Sequence, residues 1–150
     1  VMKATTDIIT TKYGHIYFQG CVVHAMNLLL GDLAKAKWIT DVLKKAKTIV
    51  KFIKKRHMPL AVFRKHEKKL SLVMSGKTRF GSNYLMVDRL LKVRQALQQS
   101  VVDEQWMSYV SGLRDTSKKK PRTISRDVKK YVLDDHFRQR CTNFQEWWHR

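Results

Sequence analysis

The sequence predicts an α/β fragment that is predominantly helical, and two observations support this fold class. One short segment, residues 15–19, is rich in β-branched and aromatic residues and lies between two glycines, as a brief buried strand does. Most of the remaining chain carries apolar residues at helical spacing. One strand is too little for a self-sufficient α/β domain, so we expect part of the sheet to be formed by sequence outside this chain.

Residues 1–34 are predicted to contain a short helix over residues 1–12, the strand over 15–19 and a helix over 21–34. In the second helix, Val22, Met26, Leu29, Leu30 and Leu33 have the spacing of an apolar stripe that packs against a neighbouring layer. Cys21 and His24 are three residues apart, so they would share a different face.

Residues 35–150 are predicted to be mostly helical. The longest amphipathic pattern covers residues 35–58 and should end at Pro59, because proline lacks the N–H that continues a helix. Asn83 is placed to cap a later helix. Residues 114–124 are polar, basic and proline-bearing, which predicts a flexible connection. The other helices are expected over residues 60–69, 84–99 and 101–112 and from Ser125 onward.

The charge balance points to a polyanionic partner. The chain has 31 lysines and arginines against 12 aspartates and glutamates, a formal net charge of +19. Such an excess favours nucleic acid as partner, with a lysine-rich solvated surface as the alternative. The residues that would contact DNA phosphates are Lys44, Lys47, Lys51, Lys54, Lys55, Lys118, Lys119, Lys120 and Arg122.

The two cysteines, Cys21 and Cys141, lie far apart and form no Cys-x-x-Cys pair, so the sequence predicts reduced thiols rather than a disulfide framework. A zinc site is disfavoured, because His136, Cys141 and His149 have no ligand spacing to Cys21 and His24. No apolar run reaches the roughly 20 residues that span a bilayer, and no signal peptide is visible.

Several motifs together resemble hAT-type (Ac/hobo-like) DNA transposases of the plant type. Residues 12–30 are similar to the family's block in which a tyrosine-histidine strand enters a Cys-x-x-His helix. The similarity continues through Trp38 and the helix beyond it, and residues 77–84 resemble the family's Thr-Arg-aromatic box. Residues 132–137 extend it toward the end of the chain.

The resemblance implies part of an RNase H-like fold (residues 1–34) joined to the start of an all-helical insertion (residues 35–150). It also implies DNA cleavage by an Asp, Asp, Glu triad that holds a divalent metal, Mg²⁺. None of the three matches a residue of this chain: Asp7 lacks the expected context, and Asp134 and Asp135 point about 100° apart on a helix. We therefore expect no catalytic or metal-binding residue here, and Mg²⁺ only in a complete parent enzyme.

Two pairs of residues are candidate site residues through this resemblance. Cys21 and His24 would lie near the active site, although a purely structural pair is an equal alternative. Arg79 and Phe80 would contact DNA, with Phe80 stacking on an unpaired base at roughly 1–3 kcal/mol; the alternative is a core aromatic beside a solvent-facing arginine.

Three functions remain open on the sequence. The first is a nuclear, or alternatively cytoplasmic, fragment of a hAT-like transposase or a domesticated derivative, DNA-associated and inactive alone. The second is a non-catalytic DNA-binding or dimerising scaffold, and the third is a helical protein-interaction module with a basic face. We also expect that the chain can form homo-oligomers through the parent protein and that it does not contact a membrane.

Overall fold

The computed structural model describes residues 2–13, 15, 21–33, 35–76, 80–116 and 120–149. Within these ranges the regular structure is helical. The helices are α1 (Met2–Lys12), α2 (Val22–Leu33), α3 (Lys37–Lys54), α4 (His57–His66), α5 (Gly81–Lys92), α6 (Arg94–Val102), α7 (Glu104–Ser111), α8 (Pro121–Leu133) and α9 (Asp135–His149). The predominantly helical part of the fold prediction is confirmed.

The chain divides into two compact units, Val1–Leu33 and Ala34–Arg150. The first holds α1 and α2. The predicted strand over 15–19 lies outside the described residues except for His15, which is part of a turn. The α/β part of the prediction therefore stays a prediction.

The apolar stripe of α2 differs from expectation. Val22, Met26 and Leu29 are each more than half exposed, although their spacing predicts a buried face. The spacing was read correctly as helical, but periodicity shows only which side chains share a face. It does not supply the layer that would cover them.

α3 is the centre of the second unit and packs against α4, α5, α8 and α9. Apolar residues recur every three or four positions and so share one face, and the neighbouring helices bury that face. The buried residues of this helix are Ile39, Val42, Leu43, Ala46, Ile49, Val50, Phe52 and Ile53. The core of the unit is thus built on the face of α3 opposite its exposed lysines.

The boundary predicted at Pro59 is wrong. α3 ends at Lys54, and Pro59 is the third residue of α4. The first N–H groups of a helix have no partner within it, so a proline there removes no hydrogen bond. The extended backbone of Arg56 separates the two helices.

Asn83 does not cap α5. The helix already begins at Gly81, because Phe80 has helical dihedrals, and the Asn83 N–H donates to the Phe80 carbonyl at 2.8 Å. The Asn83 side chain is buried, and its Oδ1 has no hydrogen-bond partner. The single helix expected over 84–99 is also two helices, since the backbone leaves helical geometry at the buried Val93.

α8 begins earlier than predicted, at Pro121 rather than Ser125. Proline is favoured in the first helical turn. The free N–H groups of that turn are capped by a residue that lies several positions before the helix. Asp115 Oδ1 accepts the N–H of Arg122 at 2.8 Å, and the Asp115 carboxylate also bonds the Thr123 hydroxyl. Ser125 lies buried inside the helix. Part of the predicted flexible connection is therefore the ordered start of α8.

Asp103 joins α4 to α7. Its Oδ1 caps α7 by accepting the Gln105 N–H at 2.9 Å. Its Oδ2 lies 2.9 Å from Lys65 Nζ and 3.0 Å from His66 Nε2, both in the last turn of α4. The hydrogen bonds from Lys65, Gln105 and His66 lower the pKa of the Asp103 carboxyl from 3.8 to about 2.

Replacing Asp103 with asparagine is expected to destabilise the second unit, because the ion pair with Lys65 is lost. The amide oxygen of asparagine can still accept the hydrogen bond that caps α7. Asp103→Ala should destabilise it more, since it also loses the cap. A carboxyl with a depressed pKa stabilises the fold above its unfolded pKa, and this stabilisation is lost as pH falls toward the folded value. The difference in urea midpoint between wild type and Asp103→Asn should therefore shrink from pH 3.8 down to about pH 2. A difference that stays constant across that range would contradict the assignment.

Candidate nucleic-acid interface

The outer face of α3 carries exposed lysines over a shallow depression. Lys44, Lys47 and Lys51 follow each other at three- and four-residue spacing, so they lie on one side of the helix. Together with Thr40, Leu43 and Thr48 they line a depression of about 440 Å³. We call Lys44, Lys47 and Lys51 the α3 lysine face.

The ammonium groups of this face are unpaired within the described part of the chain, where no carboxylate lies within ion-pair distance of them. Lys45, between them in sequence, differs completely. Its Nζ lies 3.0 Å from Asp41 Oδ2 and over the Tyr131 ring at 5.4 Å from the centroid. The Lys45 hydrogen bond holds the pKa of the Asp41 carboxyl below its ordinary value. Helix geometry thus separates a structural lysine from three that face solvent.

The structure distributes the other predicted phosphate contacts over several places. Lys54 Nζ donates to the Leu72 carbonyl at 3.2 Å, and Lys55 is exposed just after the end of α3. Lys120 and Arg122 are exposed at the start of α8. Lys118, Lys119 and Arg79 lie outside the described residues.

α8 contributes two exposed basic residues that the sequence analysis missed, Arg126 and Lys130. With Arg122 they have the four-residue spacing of one helix face. This spacing was visible in the sequence. The predicted flexible connection ends at residue 124 and so places Arg122 outside the helix, which hides this face in the sequence.

Phe80 belongs to an aromatic cluster made with α5 and α9. Its ring lies 5.8 Å from that of Trp148, which stacks on Tyr84 at 5.3 Å. The Tyr84 hydroxyl lies 2.9 Å from His149 Nε2. Phe80 is half-buried, so one part of the ring packs in the cluster and the rest remains accessible.

Cys21 and His24 lie at the start of α2, where the Cys21 carbonyl accepts the Ala25 N–H at 3.1 Å. Both side chains are exposed, whereas the structural alternative is a buried thiol beside a hydrogen-bonded imidazole. Cys141, in contrast, is 2% exposed, and burial raises the pKa of its thiol to about 12. A thiol with so high a pKa is a poor nucleophile and metal ligand.

Three of the described aspartates, Asp88, Asp134 and Asp135, are engaged in structural contacts. Asp88 bonds Lys92 and Gln145, Asp134 Oδ1 accepts the His136 N–H, and Asp135 pairs with Arg138. Within the described ranges no three histidine, cysteine or acidic side chains cluster as metal ligands. Separately, none of the described helices is long and apolar enough to cross a membrane.

Comparison with known protein families matches the chain to the family model of the ZBED1 RNase-like helical domain. The match covers residues 20–127, from just before α2 into α8. No curated protein and no solved structure matches the chain. Because the matched residues make up more than half of the chain, the chain belongs to the ZBED1 RNase-like helical domain family, which is part of the hAT/ZBED transposase-derived proteins.

Proposed function

We propose that this helical domain binds DNA through phosphate contacts of the α3 lysine face, as part of a hAT-like transposase or a domesticated descendant. The observation that carries the proposal is the set of three exposed lysines with no carboxylate partner among the described residues, in a chain of net charge +19. A lysine that neutralises a phosphate releases the counterion condensed on the DNA at that phosphate. Such contacts therefore contribute affinity without reading the base sequence.

The proposal assigns this chain no catalytic step. The Mg²⁺-binding Asp, Asp and Glu would belong to the complete parent enzyme. The finer parts of the proposal are a plant-type origin, an RNase H-like core that includes residues 1–34, and nuclear localisation. The exposed apolar side chains of α2 support a further part of the proposal, in which α2 packs against other copies of the chain or against the rest of that core.

Salt dependence of DNA binding tests the proposal. Each phosphate contact contributes about −0.9 to the slope of log affinity against log salt concentration for duplex DNA. Three contacts from the α3 lysine face therefore predict a slope of about −2.7 or steeper. Fluorescence anisotropy with a labelled duplex of arbitrary sequence, between about 0.05 and 0.2 M salt, gives this slope.

A second duplex of unrelated sequence should bind with similar affinity, because phosphates are common to both. No measurable binding at the lowest salt concentration, or binding that does not change with salt, would overturn the proposal. The remaining alternatives would then be a non-catalytic dimerising scaffold or a helical protein-interaction module with a basic face.

A further inference from the structure

A second basic site lies beside the end of α3, in a cavity of about 440 Å³. Its walls are Lys54 at the end of α3, Leu60, Phe63 and Arg64 of α4, and the segment that follows α4. This volume is within the range of about 300–1,000 Å³ typical of small-molecule sites. The cavity shares Lys54 with α3, but it contains none of the three lysines of the α3 lysine face.

The floor of this cavity is apolar. Phe63 and Leu72 are 1% and 3% exposed and belong to the core, while Leu60 and Leu70 are half-buried beside them. A flat ring placed here would contact mainly Leu60 and Leu70, whose side chains are still partly accessible, and would bury apolar surface on both partners. Inorganic phosphate could not use this part of the cavity.

The rim of the cavity is cationic. Lys54 is held there by its hydrogen bond to the Leu72 carbonyl, and two of its three N–H donors remain available. Arg64 and Lys68 are exposed, and within the described ranges neither side chain has a hydrogen-bond or ion-pair partner. Arginine presents a planar fork that binds phosphate oxygens in pairs, and lysine adds point charges.

Glu67 also lines the cavity, and its carboxylate accepts hydrogen bonds from the backbone of the residues that follow it. Its Oε1 accepts the N–H groups of Leu70 at 3.0 Å and Lys69 at 2.9 Å. These hydrogen bonds lower the pKa of the Glu67 carboxyl, so it is ionised at neutral pH. Glu67 fixes the turn that carries Lys68 and Lys69, and the cations at the rim outnumber its single negative charge.

We propose that this cavity binds a nucleotide, with the phosphate monoester at the cationic rim and the base on the apolar floor. The combination favours this ligand, because a phosphate alone leaves the floor uncovered and an apolar ring alone leaves the cations unpaired. The nucleotide can be free or can be the 5′-phosphorylated end of a DNA strand. This inference is independent of the α3 lysine face.

Calorimetric titration of the whole chain with adenosine 5′-monophosphate tests the site. We expect saturable one-to-one binding, competition by inorganic phosphate at higher concentration, and at least tenfold weaker binding of adenosine. The double variant Arg64→Gln/Lys68→Gln should bind the nucleotide at least tenfold more weakly. The matched control Lys65→Gln/Lys92→Gln loses the same charge at lysines outside the cavity that pair with Asp103 and Asp88, and should bind like wild type.

Single-stranded oligonucleotides with and without a 5′-phosphate distinguish the two sources. Tighter binding of the phosphorylated strand, lost in Arg64→Gln/Lys68→Gln, would assign the site to strand ends; equal binding of both strands would assign it to free nucleotides. Absence of saturable nucleotide binding, equal loss in the control variant, or binding of an acidic peptide in place of the nucleotide would overturn the inference. Salt-dependent duplex binding would be unaffected by that failure, so the two proposals fail separately.

Discussion

Replacing Trp106 with alanine is expected to lower the free energy of unfolding of the Ala34–Arg150 unit by about 3–5 kcal/mol. Trp106 lies on α7 and is 2% exposed. Its ring lies 5.7 Å from the Phe52 ring of α3, measured between centroids. The Arg56 guanidinium lies 4.2 Å from the centroid of the same Phe52 ring. Truncation would leave a cavity beside the central helix, which its close-packed neighbours can fill only in part.

Trp38→Ala is the matched control, because it makes the same chemical change on the surface. Trp38 is 36% exposed at the start of α3 and loses less buried area when truncated. Urea denaturation followed by circular dichroism at 222 nm should show a midpoint for Trp106→Ala clearly below that of Trp38→Ala. Equal midpoints would mean that α7 does not contribute to the core as the structure shows.

The helical spacing of apolar residues and lysines over residues 35–58 was sufficient to predict most of the inner and outer faces of α3. Trp38 has the spacing of the inner face but is 36% exposed. The lysine positions of the outer face are also where the candidate interface lies. The spacing was not sufficient to separate Lys44, Lys47 and Lys51 from Lys45. That distinction depends on Asp41, one turn away, and on Tyr131, which is distant in the chain and reaches α3 only through packing with α8.

Helix boundaries failed for a related reason. Local rules predict a helix end at Pro59, a cap at Asn83 and a helix start at Ser125. Proline, asparagine and serine all occur at or near the start of helices, so the residue type alone does not show which of these roles each has. The chain instead uses Asp115 to cap α8 from outside the helix. A capping residue six positions before Pro121 produces no local signal, so the basic face formed by Arg122, Arg126 and Lys130 was also missed.

The triple variant Lys44→Gln/Lys47→Gln/Lys51→Gln should lose most of the DNA affinity of the chain. Removing three phosphate contacts makes the salt slope less steep by about 2.7, which corresponds to a loss of about two to three orders of magnitude in affinity at about 0.1 M salt. The same anisotropy titration measures both quantities. The thermal midpoint should stay at the wild-type value, because these side chains are exposed and make no ion pair among the described residues.

The control for this variant is Lys45→Gln/Lys65→Gln/Lys92→Gln, which removes the same number of positive charges. Each control lysine is already paired, with Asp41, Asp103 and Asp88 respectively, so its charge is largely compensated before DNA arrives. We expect the control to keep a slope close to that of wild type. If both triple variants lost affinity equally, net charge rather than the α3 lysine face would govern binding, and the interface would have to be sought elsewhere, first on the Arg122, Arg126 and Lys130 face of α8.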